Sequence, residues 1–202
     1  MYKLDGNCHT RFRNKIGGCV FNGCKSRVDI TLPNSINRIG SNAFNECCGL
    51  KKMIIPDSEV EIEQWAFGRY RDLTEIFIPN SITRVDEYAF YGCIFLAKIV
   101  LSNSLIDVAE DAFTNCAGLK EITILCPISL KRILPGCTSL KRMTLGVGIK
   151  GFSKDFFDGW SGNLEVINVP ANKTEYYKKR IPEHFHGIIK ELPAEKKPRK
   201  KI

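Results

Sequence analysis

A unit of 23 residues recurs along this chain, and it constrains the fold more than any other feature of the sequence. An Ala-Phe pair marks four successive units, at Ala43-Phe44, Ala66-Phe67, Ala89-Phe90 and Ala112-Phe113. A leucine keeps the same step, at Leu50, Leu73, Leu96 and Leu119. One such unit is too short to enclose a hydrophobic core, so the units must stack and share one. The sequence therefore predicts an elongated repeat array.

The shared pattern reads L-x-x-I-x-I-P-x-S-I-x-x-I-x-x-x-A-F-x-x-C, and its clearest copy spans residues 73–93. The pattern weakens towards both ends, and the leucine spacing changes to 21 residues before Leu140 and 24 residues after it. Atypical terminal units are expected, because one side of each must face solvent. We predict a degenerate N-terminal repeat or cap at 1–26, a repeat array at 27–170, a C-terminal cap at 171–192 and a basic tail at 193–202.

This pattern resembles the BspA-like class of leucine-rich repeats over roughly residues 16–170. The resemblance rests on the I-x-I-P segment, the Ala-Phe pair, and the Cys and Leu that follow. Three positions depart from the pattern, with Ser102 for the proline, Glu59 for an apolar residue and Tyr70 for the cysteine. The resemblance implies a curved solenoid that binds proteins. It also implies a class whose members are often cell-surface or secreted molecules.

Within each unit, a short alternating segment predicts a strand with one buried face. Ile76 and Ile78 alternate with Glu75 and Phe77, which is the period of two that side chains follow along a strand. We predict a leucine-rich repeat solenoid of the α/β repeat class that is rich in β structure. Its expected form is a parallel ladder of short strands joined by turns or short helices, with a C-terminal helical cap.

The outward positions of this predicted ladder form two columns of side chains. The first, the charged column, alternates in sign at every step through Asp29, Lys52, Glu75, Lys98, Glu121 and Arg142. Two interpretations stay open: a polar strip that selects a partner, and a solvated ladder whose neighbouring charges neutralise one another. Under both, the alternating signs make a poor track for phosphates, which favour a continuous basic surface.

The second column, the apolar column, consists of Thr31, Ile54, Phe77, Val100, Thr123, Thr144 and Asn168. A contiguous exposed apolar patch often marks an interface, although branched and aromatic residues also favour strands through their mutual packing. We predict a non-catalytic module that binds a protein partner. Its apolar anchors are Ile54, Phe77 and Val100, and its flanking polar contacts are Lys52, Glu75, Lys98 and Glu121.

Nine cysteines raise the question of disulfides or zinc, and their spacing favours neither. Five of them share one repeat position: Cys24, Cys47, Cys93, Cys116 and Cys137. Tyr70 and Trp160 take that position in other units, a replacement that a metal ligand or a disulfide would not tolerate. We therefore predict a column of buried free thiols. Free thiols and an N-terminal segment without an apolar stretch predict a cytoplasmic location, or a cell-surface or secreted one if the chain is a processed fragment.

Few residues suggest metal or catalytic chemistry. Four near the N-terminus offer zinc-ligand atoms in a spacing that matches no common zinc motif: Cys8, His9, Cys19 and Cys24. His184 and His186 are expected to be a solvated pair, because no further ligand stands at a metal-like spacing. The sequence contains no nucleophile elbow, phosphate loop or dinucleotide fingerprint. We predict no bound metal, no cofactor, no catalytic residue and no enzymatic activity.

The net charge of +8 comes from the two ends, because residues 27–189 carry equal numbers of acidic and basic side chains. Near the C-terminus, residues 173–181 predict a short helix that is capped by Asn172 and limited by Pro182. The basic tail holds Lys196, Lys197, Arg199, Lys200 and Lys201. It is either a solubilising tail or a nuclear address or nucleic-acid contact.

Two alternative functions therefore stay open beside the protein-binding module. One is a nucleic-acid-associated or nuclear protein that uses its basic termini, and the other is a cell-surface adhesin-like protein. No stretch is long and apolar enough for membrane insertion.

Overall fold

The structure, a computed structural model, describes residues 14–25, 32–48, 52–58, 60–158 and 163–194. Several positions discussed above lie outside these ranges: Cys8, His9, Asp29, Thr31, Leu50, Glu59, Trp160, Lys196, Lys197, Arg199, Lys200 and Lys201. The backbones of Lys52 and Phe77 are described, but their side chains are not.

Short parallel strands dominate the described residues. In chain order they are β1 (Lys15–Ile16), β2 (Arg38–Ile39), β3 (Lys52–Ile54), β4 (Glu61–Ile62), β5 (Glu75–Phe77), β6 (Arg84–Val85), β7 (Lys98–Leu101), β8 (Asp107–Val108), β9 (Glu121–Ile124), β10 (Ser129–Leu130), β11 (Arg142–Leu145), β12 (Gly151–Phe152), β13 (Val166–Val169) and β14 (Ile189–Glu191). Within the described residues, the main sheet has seven strands in the order β14-β13-β11-β9-β7-β5-β3. A second sheet has the order β1-β2-β4-β6-β8, and β10 pairs with β12. This arrangement confirms the predicted parallel ladder of a solenoid.

The alternation of apolar residues explains the main sheet. Ile76, Ile99 and Ile122 are buried and lie in register on β5, β7 and β9. On β7 and β9, Lys98 is exposed and Val100, Glu121 and Thr123 are half-buried, so the residues beside Ile99 and Ile122 lie on the outer side of the strand, as a period of two requires. The shortened unit before Leu140 keeps this register, because Arg142 on β11 still pairs with Glu121 on β9.

Because the Ala-Phe pair recurs at a constant spacing of 23 residues, the phenylalanine rings stack through the core. Five phenylalanines lie one above another, with centroids 4.9–5.3 Å apart and ring planes within 7° of parallel: Phe21, Phe44, Phe67, Phe90 and Phe113. This spacing is close to the roughly 4.8 Å between neighbouring strands, so each ring marks one coil. The Phe44 amide donates to the Ala66 carbonyl at 2.7 Å, and the other coils repeat this bond, which aligns the alanines as predicted.

The cysteines of the repeat position act as hydrogen-bond donors as well as small apolar groups. Four thiols each donate to the carbonyl oxygen of a phenylalanine in the preceding coil, over 3.0–3.3 Å: Cys47 to Phe21, Cys93 to Phe67, Cys116 to Phe90 and Cys137 to Phe113. All four are buried, which confirms the predicted column, and Cys24 is half-buried. Tyr70 takes the same position in its coil and is fully buried.

The C-terminal segment closes the array in a way that the sequence predicts only in part. Helix α1 (Thr174–Lys178) is followed by a 3₁₀ helix (Glu183–Ile188) and then by β14, which joins the main sheet beside β13. The prediction that Asn172 caps α1 is wrong, because Glu191 accepts hydrogen bonds from the Thr174 amide at 3.2 Å and hydroxyl at 2.7 Å. Among the described residues, no helix is both long and apolar enough to cross a bilayer.

His186 differs from the expected solvated side chain. Its Nε2 atom lies 2.9 Å from the carbonyl oxygen of Lys178 and 3.0 Å from that of Ile181. The ring is half-buried and ties the 3₁₀ helix to the end of α1. Its role in this structure is therefore to hold the cap together.

Candidate functional site

The outer face of the main sheet carries both predicted columns. Backbone pairing sets Lys52 beside Glu75, Glu75 beside Lys98, and Lys98 beside Glu121. The apolar column lies two residues further along each strand, with Ile54, Phe77, Val100, Thr123, Thr144 and Asn168 in register. Those side chains of the two columns that the structure describes thus stand on a rigid, hydrogen-bonded surface rather than on loops.

The charged column forms ion pairs along the ladder. Glu121 accepts a hydrogen bond from Arg142 on one side, and its carboxylate lies 3.9 Å from the Lys98 ammonium on the other. The side chains of Lys98 and Arg142 are about half exposed, at 53% and 51%. Exposed pairs of this kind contribute about 0–1 kcal/mol each to stability. The contacts agree with the interpretation of a self-neutralising ladder, and selection of a partner by these residues stays a prediction.

The apolar column contains a strongly exposed aliphatic side chain. Ile54 is 64% exposed, whereas Val100 is half-buried by its neighbours on the sheet. Beyond Val100 the column turns polar, and the Asn168 amide donates to the Thr144 hydroxyl at 3.2 Å. The apolar part of the column is therefore confined to β3, β5 and β7.

A second apolar feature, which the repeat pattern does not predict, follows the carboxyl ends of β9, β11 and β13. A cavity of about 390 Å³ lies there, and its lining includes Leu125, Thr144, Val147, Pro170, Leu192 and Pro193. Val147 is 68% exposed, and Leu125 and Leu192 are 39% and 38% exposed. Thr144 belongs to both the apolar column and this cavity, so the two features adjoin. The sequence signal that could have revealed this cavity is the group of apolar residues that follows each of the last strands.

The buried thiols of Cys47, Cys116, Cys126 and Cys137 are unsuited to nucleophilic or metal chemistry. Burial raises the pKa of Cys47 to about 12 and that of Cys126 to about 11, which keeps both in the unreactive thiol form at neutral pH. The pKa values of the Cys116 and Cys137 thiols are also raised. Among the residues that the structure describes, no group of three or more His, Cys, Asp or Glu side chains is arranged to hold a metal ion.

Comparison with known proteins identifies similar sequences and folds. Residues 13–120 and 61–181 match a family model described as a BspA type leucine rich repeat region, in six copies. The pneumococcal vaccine antigen PcpA is 20% identical over 81% of this chain and 40% of that chain, with a TM-score of 0.65. That similarity supports the solenoid fold.

Two further solved structures are similar over most of this chain. A leucine-rich repeat protein from Eubacterium ventriosum is 15% identical over 76% of this chain and 57% of that chain, with a TM-score of 0.47. A leucine rich cell surface protein from Faecalibacterium prausnitzii is 23% identical over 90% of this chain and 58% of that chain, with a TM-score of 0.43. The chain thus spans less than two thirds of each of these three proteins. A search of curated proteins found no significant match.

Proposed function

Because the chain belongs to the BspA type of leucine-rich repeat proteins, we propose that it is a non-catalytic module that binds a protein partner through the outer face of its main sheet. Family membership supports protein binding as the general function. We choose this surface because Ile54, a large aliphatic side chain, is 64% exposed on a regular sheet. Apolar groups in such a setting lower the free energy of a complex when a partner covers them.

The proposed contacts combine apolar anchors with flanking charges. Ile54, Phe77 and Val100 would enter the centre of the interface, where water is excluded. Lys52, Glu75, Lys98 and Glu121 would surround them and select the partner by charge. A sheet held by parallel hydrogen bonds loses little conformational entropy on binding, so a patch of modest area is sufficient.

The test is affinity capture with immobilised wild-type protein and two variants, Ile54→Ser and Phe77→Ser. We expect both variants to lose a protein that the wild type retains, with binding weakened roughly thirtyfold, as for a hot-spot residue. The matched control is Ile106→Ser, because Ile106 is 69% exposed and lies outside the main sheet. A partner that all four proteins retain equally, with unchanged circular dichroism, would eliminate this surface.

A second candidate function is association with nucleic acid through the basic tail, and the observation that favours it is the cluster of five Lys and Arg side chains at Lys196, Lys197, Arg199, Lys200 and Lys201. Such binding is electrostatic and weakens steeply with salt. A salt titration of the full chain and of a chain lacking residues 195–202 on a DNA duplex distinguishes the two candidates. If the chain that lacks residues 195–202 binds the duplex as tightly as the full chain, the hypothesis that the tail binds nucleic acid is rejected.

A cytoplasmic location is part of the same proposal, and the column thiols support it. Four of the five donate a hydrogen bond to a carbonyl in the core, as a reduced thiol can and a disulfide sulfur cannot. Mass spectrometry of thiols in protein from its natural source tests this location. Paired cysteines in that protein would favour the cell-surface or secreted alternative.

A further inference from the structure

Three aromatic side chains form a partly exposed group on the turns that follow the second sheet. We define the aromatic cluster as Trp65, Tyr88 and Tyr91. The Trp65 ring lies 5.1 Å from that of Tyr88 and 4.8 Å from that of Tyr91, and all three residues are half-buried. The repeat pattern assigns no shared role to these positions. The proposed interface on the main sheet does not include them.

The backbone conformation at two of these residues is costly. Trp65 and Tyr88 have φ angles of 59° and 56°, in the left-handed region that bulky side chains rarely adopt. The same repeat position holds Cys19, Asn42 and Asp111 in other coils, with φ angles of 59°, 57° and 59°. Asn and Asp tolerate this region far better than aromatic residues do. Two aromatic residues at a position suited to Asn indicate selection for a property other than stability.

Three acidic residues, Glu87, Glu110 and Asp111, adjoin the cluster through the chain or through a hydrogen bond. Glu87 and Glu110 are exposed, and each directly precedes Tyr88 or Asp111 in the chain. The Tyr88 hydroxyl donates to the Asp111 carboxylate at 3.3 Å, and this neighbouring charge raises the pKa of the tyrosine, with burial and Glu87 adding to the effect. Among the described residues, neither Glu87 nor Glu110 forms an ion pair, so both are available to a ligand.

Cations of the chain already lie against this region, and two of them, Arg84 and Lys131, line a cavity with Glu87 and pair with Asp107. The guanidinium carbon of Arg69 is 5.9 Å from the centre of the Tyr91 ring, and the same side chain pairs with Glu46 at 3.0 Å. Arg132 pairs with Asp111 at 3.2 Å. Among the described residues, no cation lies over the ring of Trp65 or Tyr88, both of which are half-buried, and the Glu87 and Glu110 carboxylates are unpaired. Aromatic faces beside carboxylates favour a cationic ligand, because ring and carboxylate both attract positive charge.

We propose that the aromatic cluster binds a basic peptide segment of a partner protein. An arginine or lysine side chain stacks on Trp65 and Tyr88, and its neighbours pair with Glu87 and Glu110. The site takes a basic segment because its unpaired charges are negative and its rings present polarizable faces. This site is separate from the apolar column, so each can fail without the other.

The experiment measures the fluorescence anisotropy of a labelled peptide that alternates Arg and Gly, with a Glu-Gly peptide as the charge control. We expect the full chain to bind the first peptide and not the second, with affinity that falls as salt is added. Trp65→Asn should weaken binding about tenfold or more, and Glu87→Gln about threefold. Trp65→Phe should restore most of the affinity, because it retains an aromatic face.

The Asn variant also separates binding from folding. Trp65→Asn should leave the thermal midpoint unchanged or raise it, because Asn fits the left-handed backbone that Asn42 already occupies in the equivalent position. The matched control is Phe95→Ser, since Phe95 is 58% exposed and is not part of the cluster. Equal binding by Trp65→Asn and wild type, or equal binding of the Arg and Glu peptides, would overturn the proposal. Capture of a neutral oligosaccharide such as chitotriose in place of the Arg peptide would also overturn it.

Discussion

Two fully buried tyrosines have opposite hydrogen-bonding environments, so the same substitution at each should change stability in opposite directions. Tyr70 is 0% exposed, and within the described part of the chain its hydroxyl has no hydrogen-bond partner. Tyr177 is 1% exposed, and its hydroxyl donates to the carbonyl oxygen of Gly146. Burial raises the pKa of Tyr70 above its ordinary range and that of Tyr177 to about 12, so both are neutral phenols at pH 7.

The magnitudes follow from these two environments. A buried polar group without a partner costs about 1–3 kcal/mol, so Tyr70→Phe should raise the free energy of unfolding by about 1 kcal/mol or more. Tyr177→Phe removes a bond and leaves the Gly146 carbonyl without its donor, which should lower the free energy of unfolding by about 1–2 kcal/mol. For a chain of 202 residues, each kcal/mol corresponds to roughly 2–4 °C in the thermal midpoint.

The assay is urea unfolding followed by far-ultraviolet circular dichroism, with the dependence of free energy on urea held common to all variants. The expected order of midpoints is Tyr70→Phe above wild type and wild type above Tyr177→Phe. Both substitutions remove the same hydroxyl oxygen. Any general effect of replacing Tyr by Phe therefore cancels when the two changes in the free energy of unfolding are compared. A lower midpoint for Tyr70→Phe would mean that its hydroxyl has a hydrogen-bond partner, such as a bound water, and would refute the reasoning.

Three further outcomes test the charged column, the thiols and an ion-paired carboxylate. Glu121→Lys should lower the free energy of unfolding by about 1 kcal/mol in low salt, with most of the loss recovered in high salt, since it sets like charges on three successive strands. Iodoacetamide should modify the exposed Cys19 in the native protein but reach the buried Cys116 only on unfolding, as mass spectrometry of the peptides would reveal. Burial alone would raise the pKa of Glu63, but hydrogen bonds from Ser41 and the pairing with Arg38 outweigh it and hold the pKa below 4.5. Glu63→Gln should therefore lower the free energy of unfolding by its full amount above pH 4.5. This difference from wild type should disappear as the pH falls through the lowered pKa of Glu63 in the native state.

The sequence predicts those parts of the fold that every unit shares. The stacked phenylalanines, the aligned alanines and the buried thiols follow from a step of 23 residues, because one unit cannot bury its own apolar side chains. The outward direction of Ile54 follows equally from the alternation within a strand. A residue type that recurs at the same position of every unit is therefore enough to predict which side chains are buried.

Features that occur once are absent from that pattern, and most of the differences between sequence and structure are of this kind. Glu191 caps α1 from a strand 17 residues away, a contact set by how the chain closes rather than by local preference. His186 binds two carbonyls for the same reason. The repeat pattern does not reveal the aromatic cluster, because Trp65 and Tyr88 occupy a position that carries Cys19, Asn42 and Asp111 in other units. A functional site on a repeat protein is built from such differences.

Two aromatic departures from the repeat lie in neighbouring units, and their location supports a functional cause. Trp65 and Tyr88 lie in adjoining coils near the middle of the array, and both have left-handed φ angles that Asn tolerates better. In a linear array each coil is stabilised by its two neighbours, so regular coils on both sides can compensate for an unfavourable one. Substituting the residue of a neighbouring unit at both positions, Trp65→Asn and Tyr88→Asn together, should therefore raise the thermal midpoint and abolish binding of the Arg peptide. A double variant that is less stable than wild type would show that these residues are retained for the fold itself.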